Sequence, residues 1–445
     1  MKNKQWYRLI VVEVVCLAWP LLSFAQQPQS LTLSEAIQLA LKTNRQLQAA
    51  QQYTDAAKSA AGQAKGAFFP RLDMIEGFNY TDKPTLVFSN LLDQSSFKQN
   101  NFAIGSLNNP TPLTNLASQI RLEQPIYAGG KLSANLGQAT AFAESSEEAA
   151  RRTRQEVIAA VIEAYYRVIL AEANADVIKQ SLASGRAHLG VTQDLFEKGL
   201  VVRSDVLRTQ VLVGNLEREQ LEAESAIEIN QTQLKYLLGK EEEFYRVAEQ
   251  AAQDSLPLET LQTLVSEAQR SRPDLKAAEK DVERANAMVD VARADYYPSL
   301  SFVSQYESNT QKFTSSSENF AVFVTARWNL FNGFATQEKV VEARALLRRA
   351  QLLRDDLFHR VAKEVEQNLL ALTVARRQVA IALQNVSHGE ESLRIIKDRY
   401  SAGLARNVDV LDGEATLKQA EQDLLSARVN SQISRAHLNL ATGQL

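Results

Sequence analysis

The sequence predicts a mainly α-helical chain with a transmembrane β-barrel contribution: duplicated long antiparallel helical hairpins plus four β-strands per chain. Three observations carry that prediction. Residues 125–239 map onto 329–443 without a gap at an offset of 204, with Gly129/Gly333, Gly185/Gly389, Gly199/Gly403 and Gly239/Gly443 marking the register. Apolar and small residues recur at alternating steps of four and three from Val157 to Phe196, and again from Val361 to Tyr400. Between the helical stretches lie short segments that alternate apolar and polar residues. Two long repeats mean one duplicated architecture, not two independent domains.

The first 25 residues read as a secretory signal. Lys2, Lys4 and Arg8 form a positive start, Leu9 to Leu22 an apolar core interrupted by Glu13, and Ser23-Phe24-Ala25 a small-x-small cleavage site. Cys16, the only cysteine, lies inside that signal after Val15, which is too large for a lipoprotein signal. The mature chain is therefore expected to carry no thiol, disulfide or cysteine metal site. The whole chain has a net charge of −3 and the signal +2, so the mature part sits near −5 and has no polyanion-binding signature. No uninterrupted apolar run near 20 residues follows the signal, so a membrane is spanned by strands or not at all. The expected layout is a signal at 1–25, a first repeat at 26–240, a linker at 241–257 and a second repeat at 258–445.

The strands come next in each repeat. Phe68-Phe69-Pro70-Arg71-Leu72 pairs with Tyr296-Tyr297-Pro298-Ser299-Leu300 at an offset of 228. That offset exceeds 204 by 24, so the segment between Pro70 and Gly129 is longer than its partner by that many residues. Strands are expected at about 70–82, 115–127, 298–307 and 319–330. The clearest is the last, where Phe320, Val322, Val324, Ala326, Trp328 and Leu330 alternate with Ala321, Phe323, Thr325, Arg327 and Asn329. The Ser/Asn/Thr-rich stretch Glu307 to Asn319 and the region 82–114 read as polar loops. Strands of about ten residues, apolar on one face and polar on the other, suit an outer-membrane barrel. Four strands cannot close one, and an open edge in lipid is prohibitively costly, so the strands join an oligomeric barrel; three copies give twelve.

The helices follow. No proline falls between 126 and 256, so one helix can run from near Gly130 to Lys198. About 68 residues at 1.5 Å each make a rod of roughly 100 Å. The rods end at matching breaks: Gly199 and Gly403 suit the left-handed position after a helix, and Ser204, Asp205 and Asp409 can cap the next. Both breaks read as tips of helical hairpins.

His188, His359, His388 and His437 show no metal-ligand spacing and read as solvent-facing helix residues. There is no phosphate loop or nucleophile motif, so no catalytic residue, metal or cofactor is expected and the chain reads as a conduit, not an enzyme. An autonomous porin and a purely structural coiled coil are the competing classes. The strands argue against the second, and the long rods with acidic tips against the first.

The aromatic-Pro strand entries Phe69-Pro70 and Tyr297-Pro298, the strand exits Gln124 to Gly130 and Asn329 to Gly333, and the Gly-Leu…Asp-Val-Leu tips occur in this order twice. Together they resemble the TolC-like outer-membrane factors of bacterial efflux and type I secretion systems, over essentially the whole mature chain. The resemblance implies a homotrimer in the outer membrane with a 12-stranded barrel and a long periplasmic helical tunnel. It implies a periplasmic adaptor (membrane fusion) protein and an inner-membrane transporter of the RND or ABC class as partners, with lipid around the barrel and no nucleic acid.

In such proteins the second tip lines the periplasmic entrance. Asp409 and Asp412 match its acidic side chains and Tyr400 its aromatic latch. Ala405 stands where the family has an arginine, with Arg406 one place later, so the partners of Arg406, Arg203 and Asp205 at the entrance are not assigned by sequence. Helix capping alone also accounts for Asp205 and Asp409. Gly199, Leu200, Val206 and Leu207, with Gly403, Leu404, Val410 and Leu411, are the expected adaptor-docking tips.

Overall fold

A computed structural model describes residues 29–240, 245–247, 259–312 and 315–445; the predicted signal and most of the predicted linker lie outside them. Each repeat contains the same four helices at matching lengths. In the first these are α1 (Leu33–Thr43), α2 (Arg45–Gly66), α5 (Lys131–Glu197) and α6 (Arg203–Leu238). In the second they are α7 (Leu261–Ser271), α8 (Pro273–Ala294), α9 (Ala335–Ser401) and α10 (Asn407–Thr442). Helices α5 and α9 both have 67 residues, about 100 Å at the helical rise.

The seam read from the sequence is the one that is buried. Val157, Val161, Ala164, Val168, Ile178, Leu182, Gly185 and Thr192 are buried on α5, as are Val361, Val365, Leu372, Ala375, Ala382, Gly389 and Leu393 on α9. Gly185 lets α6 approach closely: a Cβ there would stand 3.2 Å from Leu216 Cδ1.

Packing orders the elements sideways in three layers. Towards the membrane the neighbours run α2–α5–α8–α9, and towards the tips α6–α5–α10–α9. The strands β2 (Arg71–Thr81), β3 (Leu113–Ala128), β5 (Ser299–Lys312) and β6 (Ser315–Arg327) form one antiparallel sheet in that order. Every layer therefore ends with first-repeat elements at one edge and second-repeat elements at the other.

At the equator, β1 (Gln29–Leu31) pairs in parallel with β4 (Tyr245–Val247) over an apolar cluster of Ala36, Ala40, Val161, Tyr165, Leu234 and Leu238. A second cluster, with Leu264, Ala268, Leu275, Val361, Val365 and Leu438, repeats it. The last carbonyls of a helix lack intrahelical partners and must be satisfied from outside. Here Thr43 Oγ1 and Asn44 Nδ2 reach the carbonyls of Leu238 and Leu237 at the end of α6. Ser271 and Arg272 do the same for Thr442 and Ala441 at the end of α10.

The sheet register sorts the strands into two faces. Leu72, Met74, Ile120, Leu122, Phe302, Val322 and Val324 share one; Asp73, Asn79, Asn115, Arg121, Asn309 and Thr325 share the other. The apolar face suits lipid and the polar face a lumen. Val324→Asp puts a carboxylate on the lipid face; Arg or Lys at the bilayer midplane costs about 2–4 kcal/mol and Asp less, incurred once per chain. We expect little assembled protein in outer-membrane fractions from Val324→Asp and wild-type amounts from Thr325→Asp. Equal amounts would refute the assignment of faces.

Three expectations are corrected. Residues 307–312 and 315–319 are strand, not loop, because the ladder continues through Glu307↔Asn319, Ser308↔Glu318 and Asn309↔Ser317. Strand residues standing in water beyond the lipid need no apolar face, so their composition reads as loop. The last strand ends at Arg327 instead of Leu330, and Trp328 Nε1 instead donates to the Tyr296 carbonyl at 3.1 Å. The region 82–114 folds into α3 (Pro84–Asp93), a 3₁₀ turn at Gln99–Phe102 and α4 (Ile104–Asn108), which holds the 24 residues the second repeat lacks.

Candidate functional site

The tips are built alike. Helix α5 ends with Gly199 at φ +71°, and the Leu200 N–H returns to the Leu195 carbonyl at 2.9 Å. Gly403 at φ +74° and a Leu404 N–H to Arg399 carbonyl bond of 2.8 Å repeat this on α9. That left-handed turn reverses the chain without a Cβ penalty. Leu200 and Leu404 are each 69 % exposed. Leu207 is exposed and Val206 and Leu411 half-buried, but Val410 is fully buried and so drops out of the expected docking surface.

The predicted gate residues divide. Asp409 caps its own helix: its Oδ2 accepts from the Arg406 N–H at 2.9 Å while the Arg406 guanidinium donates to Oδ1 at 2.9 Å. The Arg406 side-chain hydrogen bonds, then its backbone one, hold the Asp409 carboxyl below the usual carboxylate range. Arg406 thus pairs within its own chain segment and does not latch to Asp205. Asp205, at the matching place in the first turn of α6, makes no such side-chain bond back to the cap residue Val202 and contributes its backbone carbonyl to the knot instead. Arg203 and Asp412 are exposed. Tyr400 is buried against His188, ring centroids 5.4 Å apart, and its hydroxyl has no hydrogen-bond partner among the described residues.

His188 is the main correction. It is 8 % exposed, not solvent-facing, and its Nε2 meets Asn407 Oδ1 at 2.6 Å. Asn407 Nδ2 then donates to the Asp205 carbonyl and to Thr209 Oγ1, both at 3.2 Å. With Tyr400, this polar knot joins all four tip helices: α5, α6, α9 and α10. Sequence periodicity missed it because α5 has two buried faces towards the tip. One is the apolar seam facing α6; the other faces α10 and carries Asn174, Ser184 and His188, bonded to Gln422, Glu414 and Asn407. The signal that could have found it is the set of uncharged polar residues Asn174, Ser184 and His188, which share one face of a helix otherwise rich in long charged ones.

The contrast between interfaces is mechanical. Each hairpin is held internally by apolar packing, Leu182 with Val213 and Leu216 in the first and Ala382 with Leu424 and Ala427 in the second. Hairpin against hairpin, the tip half carries these polar bonds, beside a half-open cavity of about 230 Å³ whose lining mixes Ser184, Lys397, Glu414 and Lys418 with Leu212, Leu216, Leu393 and Leu417. Nearer the equator the contact turns apolar, with Tyr166 on Val429 and Ile433. Polar contacts can be exchanged for water at little net cost, whereas apolar ones cannot. Among the described residues no cluster of His, Cys, Asp or Glu forms a metal site.

Residues 36–240 and 264–444 match the family of outer membrane efflux proteins. The chain belongs to that family. It is 26 % identical over 427 residues to protein CyaE of Bordetella pertussis, covering 95 % of this chain and 84 % of that one. Outer membrane protein TolC of Vibrio cholerae is 23 % identical, over 93 % and 91 % of the two chains. Among solved structures, a membrane protein from Pseudomonas aeruginosa superposes with a TM-score of 0.82 at 20 % identity, over 94 % of this chain and 91 % of that one. The outer membrane protein VceC from Vibrio cholerae superposes at 0.76 with 18 % identity, over 92 % and 96 %. This outer membrane efflux protein is a TolC-like exit duct of an efflux or type I secretion system, set in the outer membrane with a periplasmic helical tunnel. The family is one of channel proteins, not enzymes.

Proposed function

We propose that three copies close a twelve-stranded barrel over a helical tunnel, passively conducting substrates delivered by a periplasmic adaptor and an inner-membrane pump of the RND or ABC class. One observation carries this reading: both long edges of the chain are unpartnered and apolar. On α6, Val211, Leu221, Ile229 and Tyr236 are exposed; on α9, Leu370, Val374, Ile381 and Ile395 are, largely at heptad spacing. Strands β2 and β6 end the sheet above the same two edges. Exposed apolar stripes facing outward on both edges of the tip half mark an interface, and a strand edge in lipid needs a partner. Native mass spectrometry of detergent-extracted protein should give a trimer. A monomer would end this reading.

The tip is the gate. Its closed form is held by the His188–Asn407–Thr209 knot, and the second hairpin swings as a unit about the apolar contact near Tyr166. Asp412 and the capped Asp409 lie towards the entrance and act on permeating ions, favouring cations as carboxylate rings do. Docking uses Gly199, Leu200, Leu207, Gly403 and Leu404, with Val206 and Leu411 behind them. A Cβ at Gly199 or Gly403 meets nothing within 4 Å, so Gly→Val there acts through the backbone alone, at about 1–2 kcal/mol for the left-handed conformation. We expect lost transport at normal trimer level; surviving transport in both variants would place docking elsewhere.

A further inference from the structure

The outer loop of the first hairpin is folded, and it is folded inward. Asn90 Nδ2 on α3 donates to Asn79 Oδ1 at 2.9 Å, and Gln94 Nε2 to the Thr114 carbonyl at 2.9 Å and Asn115 Oδ1 at 2.8 Å. Asn115 Nδ2 continues to Asn309 Oδ1 at 2.8 Å. At the far strand Asn319 Nδ2 donates to the Asp93 carbonyl at 3.1 Å, and the Ser95 and Ser317 hydroxyls lie 2.6 Å apart. The anchors thus span all four strands. By register, Asn79, Asn115, Asn309, Ser317 and Asn319 all lie on the polar face, the one that lines the lumen.

Asn115 and Asn309 keep only 4 % and 1 % exposure, so this is a seated loop and not a surface graze. Buried amides are tolerated because each is hydrogen-bonded. Phe97 stiffens the segment by meeting Phe88 and Phe102 edge-on, with both centroid distances 5.0 Å. Val87 is buried, but several apolar side chains of the segment are uncovered: Leu86, Leu92, Phe102 and Ile104 are exposed. Loops free in water seldom present such groups together.

We infer that this loop is a lid: three copies of it converge on the barrel axis and close the outer mouth, each exposed apolar surface being covered by the same loop of a second copy. The inference rests on the trimeric reading above. A segment pinned across the luminal face of one third of the wall turns its free side to the axis, where only its symmetry mates lie. In the second hairpin the ladder still pairs Lys312 with Ser315, which leaves no room for a comparable segment. The 24 extra residues of the first repeat thereby acquire a task distinct from that of the periplasmic tip.

Single thiols test this cleanly, because the only cysteine, Cys16, lies in the predicted signal. Ile104→Cys and Phe102→Cys, each alone, should give linked pairs of chains in the intact trimer with a short bismaleimide. A thiol on the inner wall, Thr325→Cys, should react slowly with a bulky membrane-impermeant maleimide added to whole cells. Replacing residues 84–108 with a short Gly-Ser turn should make it react severalfold faster, whatever the periplasmic tip is doing. An intact trimer that gives no linked pairs at either position, or a labelling rate unchanged by the deletion, overturns the lid while leaving the trimer standing. A monomer by native mass removes both.

Discussion

Arg272→Ala should destabilise the folded chain by about 3 kcal/mol, the lower end of the cost of removing one partner from a buried ion pair. Arg272 is 2 % exposed and makes three kinds of bond. It pairs with Asp274 at 2.6 Å and Glu364 at 2.8 Å, and donates to the Ala441 carbonyl at the end of α10 at 3.0 Å. Its loss strands the half-buried Asp274, whereas Glu364 can turn to water, which keeps the cost at the low end. Burial pushes the Asp274 carboxyl up, but the Arg272 hydrogen bond and charge outweigh it and hold the group below the usual carboxylate range. A depressed value contributes stability that is present above the unfolded-state value and lost as pH falls through the folded one.

The variant should therefore reverse the pH response. With Arg272 gone, burial raises the Asp274 carboxyl against only the Arg152 charge and the Leu275 N–H, and lowering the pH should recover part of the loss. The first repeat supplies the rescue. Asn44, Gln46 and Ala160 stand where Arg272, Asp274 and Glu364 stand in the second. Arg272→Asn with Asp274→Gln should regain most of the stability, measured as heat-induced loss of helical circular dichroism. If the single and double changes prove equally harmful, the charges do not bind the joint.

Much of the fold was legible because duplication repeats every signal. The seam of α5 recurs on α9 at one offset, and the strand entries at Pro70 and Pro298 recur at another. Two kinds of feature were not legible. Residues 307–312 and 315–319 carry no apolar alternation because strand beyond the lipid needs no apolar face, and what covers them is the polar outer loop, held by hydrogen bonds. The inward fold of the outer loop depends on single amides, Asn90 and Gln94, which in sequence look like any turn residues. At the tip, acidic residues drew the eye, yet Asp409 serves its own helix and the cross-links come from His188 and Asn407. A helix with two neighbours has two buried faces, and a period-based reading finds the apolar one.

Asn407→Leu should open the tip. Leu keeps the branched four-heavy-atom outline of Asn with more bulk, but it can neither accept from His188 nor donate to Thr209 and the Asp205 carbonyl. Each polar group left unpaired in the closed form costs about 1–3 kcal/mol, and about 1.4 kcal/mol shifts an equilibrium tenfold. The open form regains water for these groups, so the whole cost falls on closure. With three chains moving together, the gain in open probability should exceed tenfold in planar-bilayer recordings, at unchanged trimer level and barrel assembly. His188→Leu should act in the same direction, and the two changes combined should fall short of additive because they cut one knot. Asp412→Ala, at an exposed carboxylate, should instead alter the reversal potential in a salt gradient without raising open time. Equal conductance in wild type and Asn407→Leu would remove the knot as the latch and return the gate to the exposed acidic residues.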